Sequence, residues 1–139
     1  MGCTTARCLE PRCEGMEHIV QLYTAIERCN FGEARQLILD GANVNCMNYL
    51  GGTPLIETCR SSFLHGKERE RESFVRFLIS NGSQVDLSDI FGRTAVLYAT
   101  ENGHHAIVNL LERQNRGKRG KYICYFLSKF VVPKSCNYY

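Results

Sequence analysis

Apolar residues return at helical spacing along most of the chain. Ile19, Leu22, Tyr23 and Ile26 fall on one face of a first helix, and Ala34, Leu37 and Ile38 on one face of a second that stops at Gly41. Residues three and four apart form a single stripe on an α-helix, so each stripe predicts a helix with one face to bury. Asn30 stands where it can cap the second helix, with Glu33 three positions on, each placed to satisfy a free amide of the other's first turn. The fullest instance is DIFGRTAVLYATENGHHAIVNLLE, residues 89–112. There Val96 and Ala99 belong to one short helix, Ile107, Val108, Leu110 and Leu111 to the next, Thr94 caps the first, and Gly103 separates them. The predicted unit is a helix-turn-helix.

Comparing the chain with itself multiplies that unit. Leu22 and Leu55, Ala25 and Thr58, and Leu78 and Leu111 are each 33 positions apart, whereas Gly41 and Gly82, and Thr53 and Thr94, are 41 apart. The difference, 41 less 33, places eight extra residues between Thr58 and Leu78, where the charged run KERERE (67–72) stands. Three copies result, at about 17–47, 48–88 with an insertion near 62–72, and 89–115, forming one domain over 16–115. Residues 1–15 lack an apolar period and contain Pro11 and Gly15, which predicts a flexible arm; residues 116–139 form a basic and then apolar tail.

The motifs GANVN (41–45), NYLGGTPL (48–55), NGSQVD (81–86), DIFGRTAV (89–96) and NGHHAIVNLLE (102–112) resemble those of the ankyrin-repeat family. That resemblance implies an all-α solenoid of stacked helix-turn-helix units with short finger loops. The local logic agrees with it. Thr53 and Thr94 cap first helices, Pro54 sits where its missing amide costs nothing, and Gly41 and Gly82 suit left-handed ends of second helices. Some positions depart from the pattern. Ile56 and Leu97 replace a histidine that members often carry, removing a side-chain hydrogen bond near the turn, and Thr58 replaces a small apolar residue. The first copy lacks its turn and threonine, and the third ends in Asn115 and Arg116 instead of a glycine and an alanine.

Composition narrows the function class. With 139 residues, 44% hydrophobic and 22% charged, the chain has the makings of one domain with a modest core, and wholesale disorder is excluded. Residues 1–14 hold no apolar run, so no secretory signal is expected, and the eight cysteines are read as reduced thiols. No stretch nears the roughly 20 apolar residues of a membrane-spanning helix; the best, 122–132, is interrupted by Ser128 and Lys129. The net charge of +3 divides unevenly: residues 113–139 carry seven bases and no acid, and the rest carry ten bases against fourteen acids. Cys3, Cys8, Cys13 and His18 recur every five positions, which scatters them around a helix, so no metal is expected; nor is a cofactor. No nucleotide-binding glycine loop, paired catalytic acids or metal-binding histidine pair occurs, and no catalytic residue is assigned.

The family resemblance implies a non-catalytic adaptor that binds a protein partner through its concave face. The matching positions are Met47, Tyr49, Leu50 and Gly52 on the first finger and Ser88, Ile90, Phe91 and Arg93 on the second, with Arg60, Ser61, Glu101 and Asn102 from the first helices. Tyr49, Phe91 and Arg93 are the expected anchors, since aromatic and guanidinium groups contribute large contacts for little lost entropy. Alternatively, Phe91 and Leu50 pack only against the adjacent finger. The run 67–72 reads as a solvated extension of a helix, or else as a docking protrusion. Two further features point elsewhere. Gly2 and Cys3 resemble a dual acylation signal that would tether the protein to a membrane, although Ala6 stands where a hydroxyl residue is preferred. Arg113, Arg116, Lys118, Arg119 and Lys121 form a basic patch suited to an import receptor, an anionic membrane or, less favoured, nucleic acid. Against these, Ile123, Phe126, Leu127 and Phe130 lie at helical spacing and could cover the third repeat. The expected state is a cytoplasmic monomer, with nuclear or membrane-peripheral placement as alternatives.

Overall fold

The computed structural model describes residues 2–61 and 66–116, with side chains from residue 15 onward. Six helices occur among them: α1 (Gly2–Glu27), α2 (Phe31–Leu39), α3 (Pro54–Arg60), α4 (Glu68–Ser80), α5 (Ala95–Glu101) and α6 (His105–Asn115). They pair as α1 with α2, α3 with α4 and α5 with α6. The pairs stack so that α3 lies between α1 and α5, and α4 between α2 and α6. The apolar stripes meet inside this double layer, where Leu22, Ile26, Leu55, Ile56, Phe74, Leu78, Ile107 and Leu111 are almost entirely buried. No single pair could cover its own stripe; stacking closes the core.

Helix ends explain the regular turns. Thr53 Oγ1 accepts from the Ile56 amide at 3.3 Å and Thr94 Oγ1 from Leu97 at 3.4 Å, with Pro54 opening α3. Thr53 is wholly buried, so no water can replace its oxygen. Thr53→Ala is accordingly expected to lower stability by about 1–2 kcal/mol, read as a shift in the urea midpoint at constant slope. Asn30 caps α2 through Oδ1 as predicted, but the reciprocal arm differs. The Glu33 carboxylate takes Asn30 Nδ2 at 2.7 Å, because the Asn30 backbone amide already donates to Ala25 O at 2.8 Å.

The second helices end in left-handed glycines, Gly41 (φ 114°) and Gly82 (φ 90°), a backbone state that disfavours any Cβ. The same state at the end of α1 falls on Cys29 (φ 55°), a position that glycine holds at the end of α5 as Gly103. Asn45 straps two copies together, donating Nδ2 to Gly82 O at 3.0 Å and accepting from the Gln84 amide at 2.9 Å.

Two segments differ from the sequence expectation. Residues 2–15, expected as a flexible arm, continue the backbone of α1. The buried stripe from Ile19 to Ile26 fixes the helix, and extension past a formed nucleus adds residues at little cost, even though Pro11 lacks an amide to donate. The second difference concerns the charged run. Glu68, Arg69 and Glu70 are exposed on α4, as a solvated extension requires, but Arg71 is fully buried. It lies three and four positions before Phe74 and Val75, which puts it on the buried face of α4. Its guanidinium donates to Thr58 O at 2.9 Å and also to Ser61 O, reaches Cys29 Sγ at 3.7 Å and stands 5.9 Å from the Phe31 ring centre. Arg71 thereby fastens the end of α3 and the end of α1 to α4.

Candidate functional site

Each finger loop is built around one side chain that folds the backbone over itself. Asn48 Oδ1 accepts from the amides of Leu50 and Gly52, both at 2.9 Å, and Asp89 Oδ1 accepts from Phe91 at 2.9 Å and Arg93 at 3.0 Å. Each turn then passes through a left-handed glycine, Gly51 (φ 72°) or Gly92 (φ 74°). The fingers are joined by the Ile90 amide, which donates to Leu50 O at 2.9 Å. A Cβ on Gly51 would stand 3.2 Å from that same Ile90 nitrogen, so glycine is what lets the fingers approach.

The loops are gripped from below by residues that the sequence did not single out. Glu57 Oε1 accepts from Asn48 Nδ2 at 3.1 Å, and Tyr98 Oη donates to Asp89 Oδ2 at 2.6 Å. Glu57 and Tyr98 are 41 positions apart, the same step as Asn48 and Asp89, so the two copies use one clasp with donor and acceptor exchanged. These residues follow Ile56 and Leu97 by one position, and they restore a side-chain bond to the turn where the histidine is missing. Tyr23 serves the first finger from the other side, its one hydroxyl proton shared between Cys46 O at 2.9 Å and Gly52 O at 2.7 Å. The shared 41-residue step is the sequence signal for this clasp, since it relates these polar positions as it relates the apolar ones.

Burial keeps the clasping phenols neutral. The Tyr98 hydroxyl is pushed up to about 12, first by loss of water and then by the Asp89 carboxylate it touches, and burial likewise pushes Tyr23 far above its ordinary range. Burial also raises the Cys59 thiol to about 12 and moves Cys46 upward. The unfolded phenol ionises near 10 while the folded one keeps its proton to about 12, so stability is intact below pH 10 and falls as pH climbs through that interval. Urea midpoints measured at pH 8, 10 and 11, values spanning about one unfolded tyrosine pKa, should decline, and the decline should be shallower in Tyr98→Phe.

The expected binding residues separate into two groups. Met47 (52% exposed), Tyr49 (91%), Ile90 (65%) and Phe91 (63%) present apolar surface on the fingers. Phe91 therefore does not bury itself on its neighbour, whereas Leu50 is half-buried between the loops. Ser88 is half-buried and bridged to Thr94. The polar members are engaged within the chain. Arg93 pairs with Glu101 at 2.8 Å and lies 5.6 Å from the Tyr98 ring centre, and Arg60 pairs with Glu57 at 2.7 Å. Asn102 donates to Cys59 O at 2.9 Å and Arg60 O at 3.0 Å, tying the end of α5 to the end of α3.

The other candidate chemistry lies away from the fingers. Arg113 and Arg116 are exposed at the end of α6, while Lys118, Arg119 and Lys121, with the apolar tail behind them, fall outside the described residues. Gly2 opens the backbone of α1, and the side chains of Cys3, Cys8 and Cys13 lie outside the described ones. Cys29, Cys46 and Cys59 are free and buried. At the far end of α5 an open groove of about 410 Å³ runs between Glu68 and Glu72 of α4 and the start of α6. His104 closes its floor, with Nδ1 2.9 Å from Glu68 Oε2. Among the described residues no three histidines, cysteines or acids gather into a metal-sized cluster, and no helix is long and apolar enough to cross a membrane.

Comparison with known proteins adds a family match. A family model described as ankyrin repeats in three copies matches residues 22–119. Ankyrin repeat protein L92 of Acanthamoeba polyphaga mimivirus is 32% identical over 105 residues, covering 70% of this chain and 24% of that protein. Ankyrin repeat protein YahD of Escherichia coli strain K12 is 30% identical over 93 residues, covering 66% of this chain and 45% of that protein. The chain thus spans less than half the length of either relative.

Proposed function

From a chain that belongs to the ankyrin-repeat family, a family of non-catalytic modules that mediate protein–protein interaction, we propose a single-chain adaptor that docks a protein partner on its finger loops. The observation that carries this reading is the row of Met47, Tyr49, Ile90 and Phe91. Four large apolar side chains are held in water on loops that are clasped from below and hydrogen-bonded to each other. Burying such groups in water-free contact is the main source of association energy, and loops already fixed in place lose little entropy when they bind. Arg60, Arg93, Glu101 and Asn102 support the scaffold in this reading, and the anchors are Tyr49 and Phe91. A cytoplasmic setting belongs to the same proposal.

The test uses the full chain as bait in quantitative affinity capture, beside a Tyr49→Ser, Ile90→Ser, Phe91→Ser variant. Exposed substitutions of this kind shift stability by only about 0.5 kcal/mol each, so the variant remains folded. Proteins retained by the wild type and lost from the variant are the expected result. An identical set on both baits would reject the finger loops as the docking surface.

A further inference from the structure

The third helix pair is covered on one side only. The steps of 41 from α3 to α5 and 33 from α4 to α6 set Leu55 against Val96, Ile56 against Leu97 and Val75 against Val108. In the second pair, which is packed between two others, these residues are at most 1% exposed; in the third, all three are only half-buried. The positions turned toward the second pair lose nothing, since Ile107 and Leu111 are as buried as Phe74 and Leu78. The outer side of α5 and α6 is therefore an apolar face, built like the inner ones, that the described residues leave open.

Residues 117–139, outside the described residues, follow directly on α6, one of the two helices that make this face. They bring Ile123, Phe126, Leu127 and Phe130, an apolar stripe at helical spacing that would run about 10.5 Å along a helix. The stripe lies beyond residues 22–119, which match the repeat family, so it is a different kind of layer. Residues 116–122 suffice as a link, because antiparallel helices are joined by about 2–8 residues. Charge agrees with this placement. Residues 1–112 carry four more acids than bases, and 113–139 carry seven bases and no acid. Glu112, one turn after Val108 on the same stripe of α6, is exposed and forms no ion pair among the described residues.

We infer that residues 117–139 fold back onto this face, laying Ile123, Phe126, Leu127 and Phe130 over Val96, Leu97 and Val108, with Lys118, Arg119 and Lys121 toward Glu112. The basic segment is then held in cis as the last layer of the stack, and is not a free ligand for an import receptor or an anionic membrane. This surface is separate from the finger loops, and neither assignment depends on the other.

Hydrogen–deuterium exchange of the full chain tests the inference, with wild type beside Leu97→Ser, a Phe126→Ser, Phe130→Ser variant, and the two combined. Amides of α6 should exchange about tenfold faster in either variant. Because both remove one contact, the combined protein should exceed either by no more than about twofold, while α1 and α2 keep wild-type rates. A tail variant that exchanges like the wild type would overturn the inference. So would effects that multiply, to about a hundredfold, in the combined protein, since the two sites would then be independent. Wild-type α6 protection that grows with chain concentration would also overturn it, by giving the face to a second copy.

Discussion

Arg71→Ala is expected to remove about 3–5 kcal/mol of stability, the largest loss from any single polar side chain described. The group is fully buried, and its donors satisfy the carbonyls of Thr58 and Ser61 where α3 gives way to the inserted segment. Truncation leaves the buried Thr58 carbonyl and the half-buried Ser61 carbonyl without that donor, and it opens a void between α1, α3 and α4 beside Cys29 and Phe31. Arg71→Met separates the two causes, since it fills most of the volume and donates nothing. Its expected cost is intermediate, about 1–3 kcal/mol, from the unpaired carbonyls alone. Urea denaturation of the three proteins under one condition gives the ranking. A cost below about 1 kcal/mol for Arg71→Ala would mean that water reaches the site and that the guanidinium does not fasten the helices.

Phe74→Ala carries a comparable expected cost, about 3–5 kcal/mol, by a different route. Phe74 is wholly buried and stacks on Phe31 of the first pair at 5.1 Å between ring centres and on Phe77 of its own helix at 6.1 Å. Its removal therefore weakens the contact between α2 and α4, leaving Arg35 on Ser73 and Phe77, and not only the packing of one pair. In a stack where each pair is stabilised mainly by its neighbours, losing an interface of that kind uncouples the units. Thermal unfolding should shift downward and broaden, because the first pair then melts apart from the other two. A downward shift that stays as sharp as in the wild type would show that the remaining contacts, α1 on α3 and Arg35 of α2 on Ser73 and Phe77 of α4, suffice to hold the three pairs as one cooperative unit. Against a typical total of about 5–15 kcal/mol for a domain, either substitution consumes a large share.

What the chain reveals before folding is its period. Leu22, Leu55, Leu78 and Leu111 keep phase because the same helix face is buried in each copy, so the repeat, its caps at Asn30, Thr53 and Thr94, and the glycine ends at Gly41 and Gly82 were all readable. Within the charged run read as an insertion, one residue departs from the solvated face that its pattern predicts. KERERE alternates charge like a solvated helix, and only the fixed start of α4 shows that Arg71 shares a face with Phe74. The polar contacts were the least legible part. Tyr98 with Asp89, Glu57 with Asn48, and Asn102 with Cys59 and Arg60 depend on which loop lies above which helix, and spacing alone assigns a face without naming a partner across it. Hence the bonds that Arg93 makes to Glu101 and Asn102 makes to Cys59 and Arg60 are visible only once the fold is known. The apolar tips at Tyr49, Ile90 and Phe91 were readable because nothing inside the chain competes for them.

The central claim is that those tips form the docking surface, and hydrogen–deuterium exchange of the full chain with and without a captured protein tests it most directly. Amides of residues 47–52 and 88–94 should slow by about tenfold or more on complex formation, while those of α2, α4 and α6 stay unchanged, since a bound surface must shield the loops it covers. Slowing confined to α2, α4 or α6, with both finger loops exchanging as before, would contradict the claim.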